Sequence, residues 1–383
     1  SFVILFFELT CIRWFGSTVV FLTFFTNIVL LACFLGMSVG LLTTARRRDL
    51  VRWVIPLACV SVALAMGTFW GYERFWNKLT IEIGAQASSP QLIYFGTEYR
   101  PRDPARFVVP MEAVAGVFFT LIAIMFVGLG QAMGRAFDAI QNRLSAYSID
   151  VLGSLTGIAL FALASWLELS PHVWFAVLLV LLLYLARPWT WMQVLGAMGV
   201  MFLIALSAFG VGVKGQVFWS PYYKISYEPR TGDINTNNIS HQQMHDVSQA
   251  APAYSLPHLL NRDAGGEPFG DVLIIGAGSG NDVSAALAHG ARSIDAVEID
   301  PAIQRIGAWD HPNKPYDRAV NPQVTVHLDD GRSFVRRTHR QYDLAVYALV
   351  DSLVLHSGYS SIRLESFLFT QQAFEDVKAK LKP

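Results

Sequence analysis

The spacing of apolar residues divides the chain into two parts. Between residues 1 and 213, apolar runs of roughly membrane-spanning length follow one another. From residue 214 onward, shorter apolar runs alternate with polar segments, as in a soluble domain. Because a helix needs about 20 apolar residues to cross a bilayer, the pattern predicts a multi-span α-helical membrane bundle followed by a soluble domain.

Seven segments of the first part have the apolar character of a spanning helix. They lie near residues 1–16, 18–43, 52–70, 108–133, 150–167, 171–186 and 189–212. Three of these segments carry glycines four residues apart, namely Gly36 with Gly40, Gly130 with Gly134, and Gly153 with Gly157. Small residues at this spacing let helices approach closely. Glycine is also common in membrane helices, so both explanations stay open.

Basic residues predict the orientation of these helices. The segments "ARRRDLVR" (45–52) and "GRAFDAIQNR" (134–143), together with Arg187, are expected to be cytoplasmic. Counting spans then places the loop at 71–107, and everything from residue 214 onward, on the outside. One missing or miscounted helix would reverse this placement, so the side of the soluble domain stays open.

Charged residues within a predicted span have two explanations. Glu8 and Arg13 in "ELTCIR" are the clearest pair. Intramembrane charges are costly and face the interior of the bundle. They belong either to a substrate path or to a structural ion pair.

Composition supports a membrane protein and excludes several other classes. The chain is 53% hydrophobic and 15% charged, whereas soluble domains carry about a quarter charged residues. Its net charge of zero gives no reason to expect nucleic acid. The three cysteines all lie in apolar runs, so neither a disulfide framework nor a metal site is expected. The chain begins inside an apolar run and ends at "AKLKP", so further sequence is expected at both ends.

The segment "DVLIIGAGSGNDV" (271–283) predicts a buried strand, a glycine turn and a helix. Gly276, Gly278 and Gly280 would allow a ligand to approach the backbone closely at a helix N-terminus. A dinucleotide fingerprint requires G-x-G-x-x-G, but residue 281 is Asn. The spacing is therefore typical of an α/β Rossmann-like domain of the S-adenosylmethionine type.

Three later strands are each predicted to end in a carboxylate. "IDAVEID" supplies Glu298, "VTVHLDDGRSF" supplies Asp329 and Asp330, and "YDLAVYALVDS" supplies Asp351. Ligands of open α/β sheets bind at the carboxyl ends of the strands. Glu298 is predicted to bind both ribose hydroxyls, and an aspartate of the third strand the adenine amino group.

These motifs, taken in order, resemble the spermidine synthase (polyamine aminopropyltransferase) family. The resemblance covers residues 217–383 and includes "SPYYKISYE" (220–228) and "NISHQQMH" (238–245). The first part resembles the multi-span region of membrane-fused spermidine synthase homologues, through "ELTCIR" and "YSIDVLGSLTG" (147–157). The resemblance implies a multi-pass protein of a bacterial inner membrane.

The resemblance also implies roles for individual residues. Glu298 matches the ribose-binding glutamate, and Asp330 with Gly331 the adenine-binding pair. Gln242 matches a glutamine beside the substrate cleft, and His241 replaces the tyrosine before it. Predicted cofactor-binding residues are Gly276, Gly278, Ser279, Gly280, Glu298, Asp330 and Gly331, and predicted catalytic residues are Asp351, Gln242 and His241.

The sequence departs from the family in the part of the site that handles the amine. One catalytic carboxylate falls on Ala348, and the aspartate that grips the amino group of the donor falls on Ser279. Glu365 and Asp282 could compensate, although each also has a structural explanation. His241, His245 and His356 are an alternative base cluster.

The sequence therefore predicts three regions: a transmembrane domain at 1–213, a small β-region at 214–260 and a nucleoside-binding domain at 261–383. The co-substrate implied by the resemblance is decarboxylated S-adenosylmethionine or S-adenosylmethionine. The expected partners are the lipid bilayer and a small-molecule amine, and a homo-oligomer or a larger membrane complex stays open. Aminopropyl transfer to an amine, another S-adenosylmethionine-dependent transfer such as methylation, and an inactive structural subunit are the three functional hypotheses.

Overall fold

A computed structural model describes residues 1–19, 22, 26–45, 49–75, 79–82, 107–210, 215–348 and 368–383. The described residues form two compact units. The helical unit contains the first seven helices, and the α/β unit begins after residue 213. Each unit is described by itself.

The helical unit follows the predicted apolar segments. Its helices are α1 (Phe2–Thr18), α2 (Thr26–Leu42), α3 (Val51–Phe75), α4 (Met111–Ala139), α5 (Arg143–Trp166), α6 (Pro171–Leu185) and α7 (Trp191–Ala208), with the short parallel strands β1 (Leu79–Glu82) and β2 (Phe107–Pro110) between α3 and α4. Within the described residues, four helices are long and apolar enough to cross a membrane: α3, α4, α5 and α7. Helices α2 and α6 are apolar but shorter.

Two predicted boundaries are wrong. The second segment was expected to begin at residue 18, but α1 extends to Thr18 and α2 begins at Thr26. The fourth segment was expected to end near residue 133, but α4 continues to Ala139. The next helix begins at Arg143, where the Asn142 side chain accepts hydrogen bonds from the backbone N–H groups of Leu144 and Ser145. The apolar run ends before the helix does, because polar and basic residues also have good helix propensity.

Glycines bring α2 and α4 into backbone contact. A Cβ added at Gly130 would lie 2.5 Å from the Met37 carbonyl oxygen, and one added at Gly40 would lie 2.7 Å from Gly130 Cα. Gly157 of α5 similarly faces Phe2, whose carbonyl oxygen would lie 2.7 Å from an added Cβ. At these positions, close helix packing is the explanation that the structure supports.

The two charged side chains predicted within the first span, Glu8 and Arg13, have different surroundings in the helical unit. Arg13 donates to Ser165 Oγ, and its guanidinium lies 4.8 Å from the ring centroid of Trp174. Glu8 is buried, and its Oε2 has no hydrogen-bond partner among the described residues. Arg135 donates to Asp49 Oδ1 at 2.8 Å, so the connection before α3 and the end of α4 lie at the same end of the unit.

The α/β unit begins with a four-stranded antiparallel sheet. Its strands are β3 (Gln216–Trp219), β4 (Lys224–Glu228), β5 (Asp233–Thr236) and β6 (Ile239–Gln243), in that order across the sheet. Their inner side chains, Ile225, Tyr227 and Ile234, pack against Ala302, Ile303 and Ile306. Helix α8 (Pro252–Asp263) then leads into the second sheet.

The second sheet is parallel, as the sequence predicts. Its strands are β7 (Asp271–Ile275), β8 (Ser293–Glu298), β9 (Val324–Leu328) and β10 (Leu344–Tyr347), in the order β10-β7-β8-β9. The helices of this part are α9 (Asn281–Ala288), α10 (Pro301–Asp310), α11 (Gly331–Arg337) and α12 (Gln371–Lys378). Strand order reverses between β7 and β10, and such a reversal opens a crevice at the carboxyl ends of the strands.

Strand β7 is apolar from Val272 to Ile275 because both of its faces are buried there. Val272 and Ile274 pack with Val283 and Ala286 of α9. Leu273 and Ile275 face the other side and pack with a cluster that includes Val335. Packing on both faces holds β7 in place and so fixes the position at which the strand ends and the glycine turn begins.

Candidate functional site

A turn of three glycines joins β7 to α9. Gly276, Gly278 and Gly280 have φ angles of 77°, 54° and 110°, which side-chain-bearing L-residues rarely adopt. The backbone N–H groups of Gly276 and Ala277 donate to the Val297 carbonyl oxygen at 2.8 and 2.9 Å. The turn is thereby fixed against the end of β8.

Glu298 is the last residue of β8, and its carboxylate lies against this turn. Its Oε2 accepts from the Gly278 N–H at 2.7 Å, and its Oε1 accepts from the Asp300 N–H at 2.8 Å. Burial raises the pKa of Glu298 to about 7, although the backbone donors favour the ionised form. A carboxylate oxygen has two lone pairs, so each oxygen can accept one further hydrogen bond.

Gln242 reaches the same turn from β6. Its Oε1 accepts from both the N–H and the Oγ of Ser279, at 3.0 and 2.7 Å. Ser279 is completely buried. The serine hydroxyl therefore bonds to Gln242, and the two side chains form one neutral polar group at the end of β7.

A loop after α10 supports the turn from another side. The Tyr316 hydroxyl donates to the carbonyl oxygens of Ala277 and Gly278, at 3.1 and 2.8 Å. Tyr316 is buried, and burial raises the pKa of its phenol. The negative charges of Glu298 and Asp282 raise this pKa further. A neutral phenol can donate these bonds over the whole physiological pH range.

Asn281, the first residue of α9, joins this loop to β6. Its Nδ2 donates to the Gln243 carbonyl oxygen at 2.8 Å, and its Oδ1 lies 3.0 Å from His311 Nε2. The His311 Nδ1 accepts from the Asn313 N–H at 3.2 Å, so Nε2 carries the proton and donates to Asn281. Burial lowers the pKa of His311 to about 4, which keeps the ring neutral.

The end of β9 has a different character. Asp330 is the N-cap of α11, where its Oδ1 accepts from the Ser333 N–H at 2.8 Å. Asp329 is bonded to Arg337. Gly331 lies against β7, because a Cβ added there would be 2.6 Å from Ile275 Cγ2. Leu328, immediately before these carboxylates, is 56% exposed.

A turn before β4 is held at the same edge of the sheet. Ser220 Oγ donates to Asp300 Oδ2 at 2.5 Å and accepts from the Tyr222 N–H at 3.1 Å. Burial raises the pKa of the Tyr222 phenol, and nearby negative charges raise it further. These charges belong to the carboxylates of Asp300, Asp330, Asp329 and Glu298. The Tyr222 ring therefore lies close to the acidic strand ends.

The geometry can be set beside known proteins. Residues 267–383 match the profile of the family described as "Spermine/spermidine synthase domain". Curated proteins named polyamine aminopropyltransferase, from Salmonella arizonae, Salmonella paratyphi B and Salmonella newport, are each 31% identical over 113 residues, which is 29% of this chain and 36% of theirs. The carboxyl-terminal region is spermidine synthase-like.

The chain spans 36% of the length of these curated relatives. The family profile matches β7 to α12 of the α/β unit, which is called the synthase-like region below. This part includes the glycine turn, Glu298 and Asp330. Gln242 lies before the residues that match the family profile.

The structure places most of the predicted site residues at one edge of the synthase-like region. The three glycines, Glu298 and the pair formed by Gln242 and Ser279 are brought together directly. Asp330 lies after β9, two strands from β7, whereas Gly331 begins α11 and contacts Ile275 of β7.

The predicted catalytic residues are less completely described. His241 is exposed at a β-bulge, where the pairing of β5 with β6 passes from Gln242 to Ser240. Ala348 N–H donates to the Ile275 carbonyl oxygen at 2.9 Å, so it continues β10 beside β7. Asp351, His356 and Glu365 lie outside the described residues. No metal-binding group of three or more His, Cys, Asp or Glu side chains occurs in the described part of the chain.

Several residues of the site were not predicted from the sequence. Tyr316, Asn281 and His311 support the turn, and Tyr222, Ile299 and Leu328 lie at the acidic strand ends. A tyrosine or histidine in a polar loop carries no periodic signal. Ile299 and Leu328 could have been found, because each is an apolar residue next to a carboxylate at a strand end.

Proposed function

We propose that the synthase-like region binds an S-adenosyl nucleoside and transfers its alkyl group to an amine, while the helical unit anchors the protein in a lipid bilayer. The observation that carries the proposal is the bond between Glu298 and Gly278. This bond puts a buried carboxylate with two free lone pairs at the glycine turn, where a ribose with two adjacent hydroxyls can donate to both of its oxygens.

The neighbouring strand end supports a purine next to the ribose. Ile299 and Leu328 are exposed, at 37% and 56%, although large apolar side chains favour burial. Leu328 is paired in register with Glu298, so their side chains point to the same side of the sheet. An aromatic base has apolar faces and polar edges, so it would cover these side chains and bring its amino group towards Asp330.

The transfer step remains a prediction that depends on Asp351 as the acid/base residue. An amine attacks the carbon next to the sulfonium, the carbon–sulfur bond breaks, and the amine loses a proton. A carboxylate within hydrogen-bond reach would accept that proton. The likeness to polyamine aminopropyltransferases supports an amine acceptor, and decarboxylated S-adenosylmethionine or S-adenosylmethionine as the donor.

Anchoring in the bilayer is supported by the four long apolar helices and by the large apolar side chains that are exposed on their surfaces. Leu152, Leu155 and Leu163 of α5 are exposed. A bacterial inner membrane is the proposed location, with the soluble part on a side that basic residues alone do not fix.

The proposal is tested by calorimetry on the full chain in detergent micelles with methylthioadenosine. Glu298→Ala should weaken binding by roughly one to three orders of magnitude, because two charge-assisted hydrogen bonds are lost. Glu267→Ala, which removes an exposed carboxylate just before β7, is the matched control and should have no effect.

A second ligand separates ribose recognition from damage to the turn. 2′-Deoxy-methylthioadenosine should bind the native chain roughly tenfold or more weakly than methylthioadenosine. It should bind Glu298→Ala as weakly as the parent ligand does, because the lost hydroxyl and the lost carboxylate are partners. Equal affinity of both ligands for the native chain would exclude Glu298 as the ribose residue.

A further inference from the structure

The strand order assigns a place to the tail of the bound nucleoside. In the proposed function, the ribose lies at the end of β8 and the base at the end of β9. Since β7 is on the other side of β8, the 5′ tail extends towards the glycine turn. The side chain that meets it there is Gln242, because a Cβ added at Gly278 would lie 2.8 Å from its Oε1 and 3.1 Å from its Nε2.

The orientation of the Gln242 amide is fixed by its partner. A backbone N–H can only donate, so the atom that faces the Ser279 N–H must be Oε1. The Ser279 hydroxyl bonds to the same oxygen. The Nε2 group therefore presents its two N–H donors elsewhere, and it has no hydrogen-bond partner among the described residues.

The position that would hold a cationic tail is neutral in this chain, because Ser279 stands where the family resemblance implies the aspartate that grips the amino group of the donor. Ser279 offers a buried neutral hydroxyl that is already bonded, and Glu298 already accepts from two backbone donors. The Nε2 group of Gln242 faces the same turn, and its N–H donors are unpaired among the described residues. Unpaired donors of this kind bind a carboxylate and repel an ammonium group.

We infer that the pocket selects an S-adenosyl ligand that retains a carboxylate in its tail, S-adenosylmethionine itself, over the decarboxylated form. This inference rests on the proposed function, because it assumes that the nucleoside binds at Glu298. The Nε2 group of Gln242 is the donor to the tail carboxylate, and the Ser279 hydroxyl holds Gln242 in place.

Among the described residues, Asp282 is the carboxylate that competes with this assignment. It is in the first turn of α9, where burial raises its pKa to about 6. An ionised Asp282 that faced the tail would attract the ammonium group of a decarboxylated ligand. The comparison of ligands must therefore include an Asp282 variant.

The test measures binding of three ligands to the full chain in detergent at pH 7.5: methylthioadenosine, S-adenosylmethionine and its decarboxylated form. The native chain should bind S-adenosylmethionine roughly ten- to a hundredfold more tightly than the decarboxylated form. Gln242→Glu keeps the shape and still accepts from Ser279, but it replaces the donors with a charge. It should reverse the preference between S-adenosylmethionine and its decarboxylated form, and this ratio is compared within the one variant, so that a general change in nucleoside affinity cancels.

Gln243→Glu is the matched control, because it adds the same charge one residue further along β6 on an exposed side chain. It should keep the native preference, as should Asp282→Asn. Three outcomes overturn the inference: a native preference for the decarboxylated ligand, a preference that Gln242→Glu does not change, or a preference that depends on Asp282. If methylthioadenosine also fails to bind, the proposed function fails with it, whereas normal methylthioadenosine binding confines the failure to the tail.

Discussion

Glycine has opposite roles in the two units of this protein. In the helical unit, Gly40 and Gly130 have ordinary helical backbones, and their value is the missing side chain, which lets α2 and α4 touch. In the α/β unit, Gly278 and Gly280 have positive φ angles, and their value is the backbone conformation. The same residue type therefore stabilises packing in one unit and shapes the turn of the candidate site in the other.

Buried polar side chains differ between the units in a related way. In the helical unit, Gln131 is bonded on both sides of its amide: it accepts from the Leu50 N–H at 3.1 Å and donates to the Thr43 carbonyl oxygen at 3.3 Å. In the α/β unit, Glu298 and Gln242 are held by the backbone but keep bonding capacity at one edge of the sheet. Unused hydrogen-bonding capacity at the edge of the sheet, rather than burial alone, marks the candidate site.

The largest expected effect tests the packing role of glycine. Gly130→Val should destabilise the helical unit by more than about 3 kcal/mol, because the new side chain overlaps the Met37 backbone. All three cysteines, Cys11, Cys33 and Cys59, lie in this unit. Thermal unfolding followed by a thiol-reactive dye therefore reports on the helical unit alone.

Gly116→Val is the control for this prediction. It adds the same side chain to the same helix at a position with no atom within 4 Å of an added Cβ. Its unfolding temperature should stay close to the native one, and methylthioadenosine should bind both variants normally. Equal loss of stability in both variants would mean that helix propensity, and not the contact with α2, is what glycine provides.

A smaller effect tests the conformational role. Gly280→Ala should destabilise the glycine turn by about 1–3 kcal/mol, because its φ of 110° is unfavourable and an added Cβ would lie 2.5 Å from Pro315 Cγ. Hydrogen–deuterium exchange of peptides from β7 and α9 measures this effect directly.

Gly265→Ala separates strain in the backbone from steric overlap. Gly265 has a φ of 79°, but no atom lies within 4 Å of an added Cβ. Its substitution should cost about 1 kcal/mol, less than that of Gly280, and should leave exchange in β7 unchanged. If both variants behave alike, the contact with Pro315 makes no contribution.

The sequence predicts the parallel sheet and its acidic edge well, because both depend on local patterns. The apolar run of β7, the three glycines and Glu298 each follow from neighbours in the chain. The bond between Ser279 and Gln242 does not follow from neighbours in the chain, because Gln242 lies on β6 and Ser279 in the turn after β7. Neither residue belongs to a periodic pattern. The same reason explains why Tyr316 and His311 were missed.

Helix boundaries in the first part were harder to predict. Hydropathy gives the centres of the helices, but Asn142 and the packing of α1 decide where α5 begins and α1 ends. The close approach of α2 and α4 follows from the glycine spacing, yet the sequence alone could not say which pairs of helices meet. That information lies in the contacts between Gly40, Met37 and Gly130.

The last expected effect concerns the ionisation of Glu298, and it has opposite signs for folding and for binding. Burial raises the pKa of Glu298 to about 7 in the folded protein, above its ordinary value of 4.5. A group with a raised pKa favours folding in its protonated form, so its contribution to stability is complete below about pH 4.5 and is lost as the pH rises to 7. Binding of ribose hydroxyls requires the ionised carboxylate, so it must strengthen over the upper part of the same range.

Calorimetry with methylthioadenosine between pH 5.5 and 8.5 measures the binding arm. The affinity should increase roughly tenfold per unit up to about pH 7 and then level off, since each unit of pKa corresponds to about 1.4 kcal/mol. Hydrogen–deuterium exchange of β8 in the unliganded protein should become faster over the same range, after correction for the intrinsic pH dependence of exchange. Glu298→Gln should make both profiles flat, because its side chain does not titrate. If native affinity does not change between pH 6 and 8 while Glu298→Ala still weakens binding, Glu298 is ionised before the ligand arrives, and its two backbone donors outweigh the cost of burying its charge.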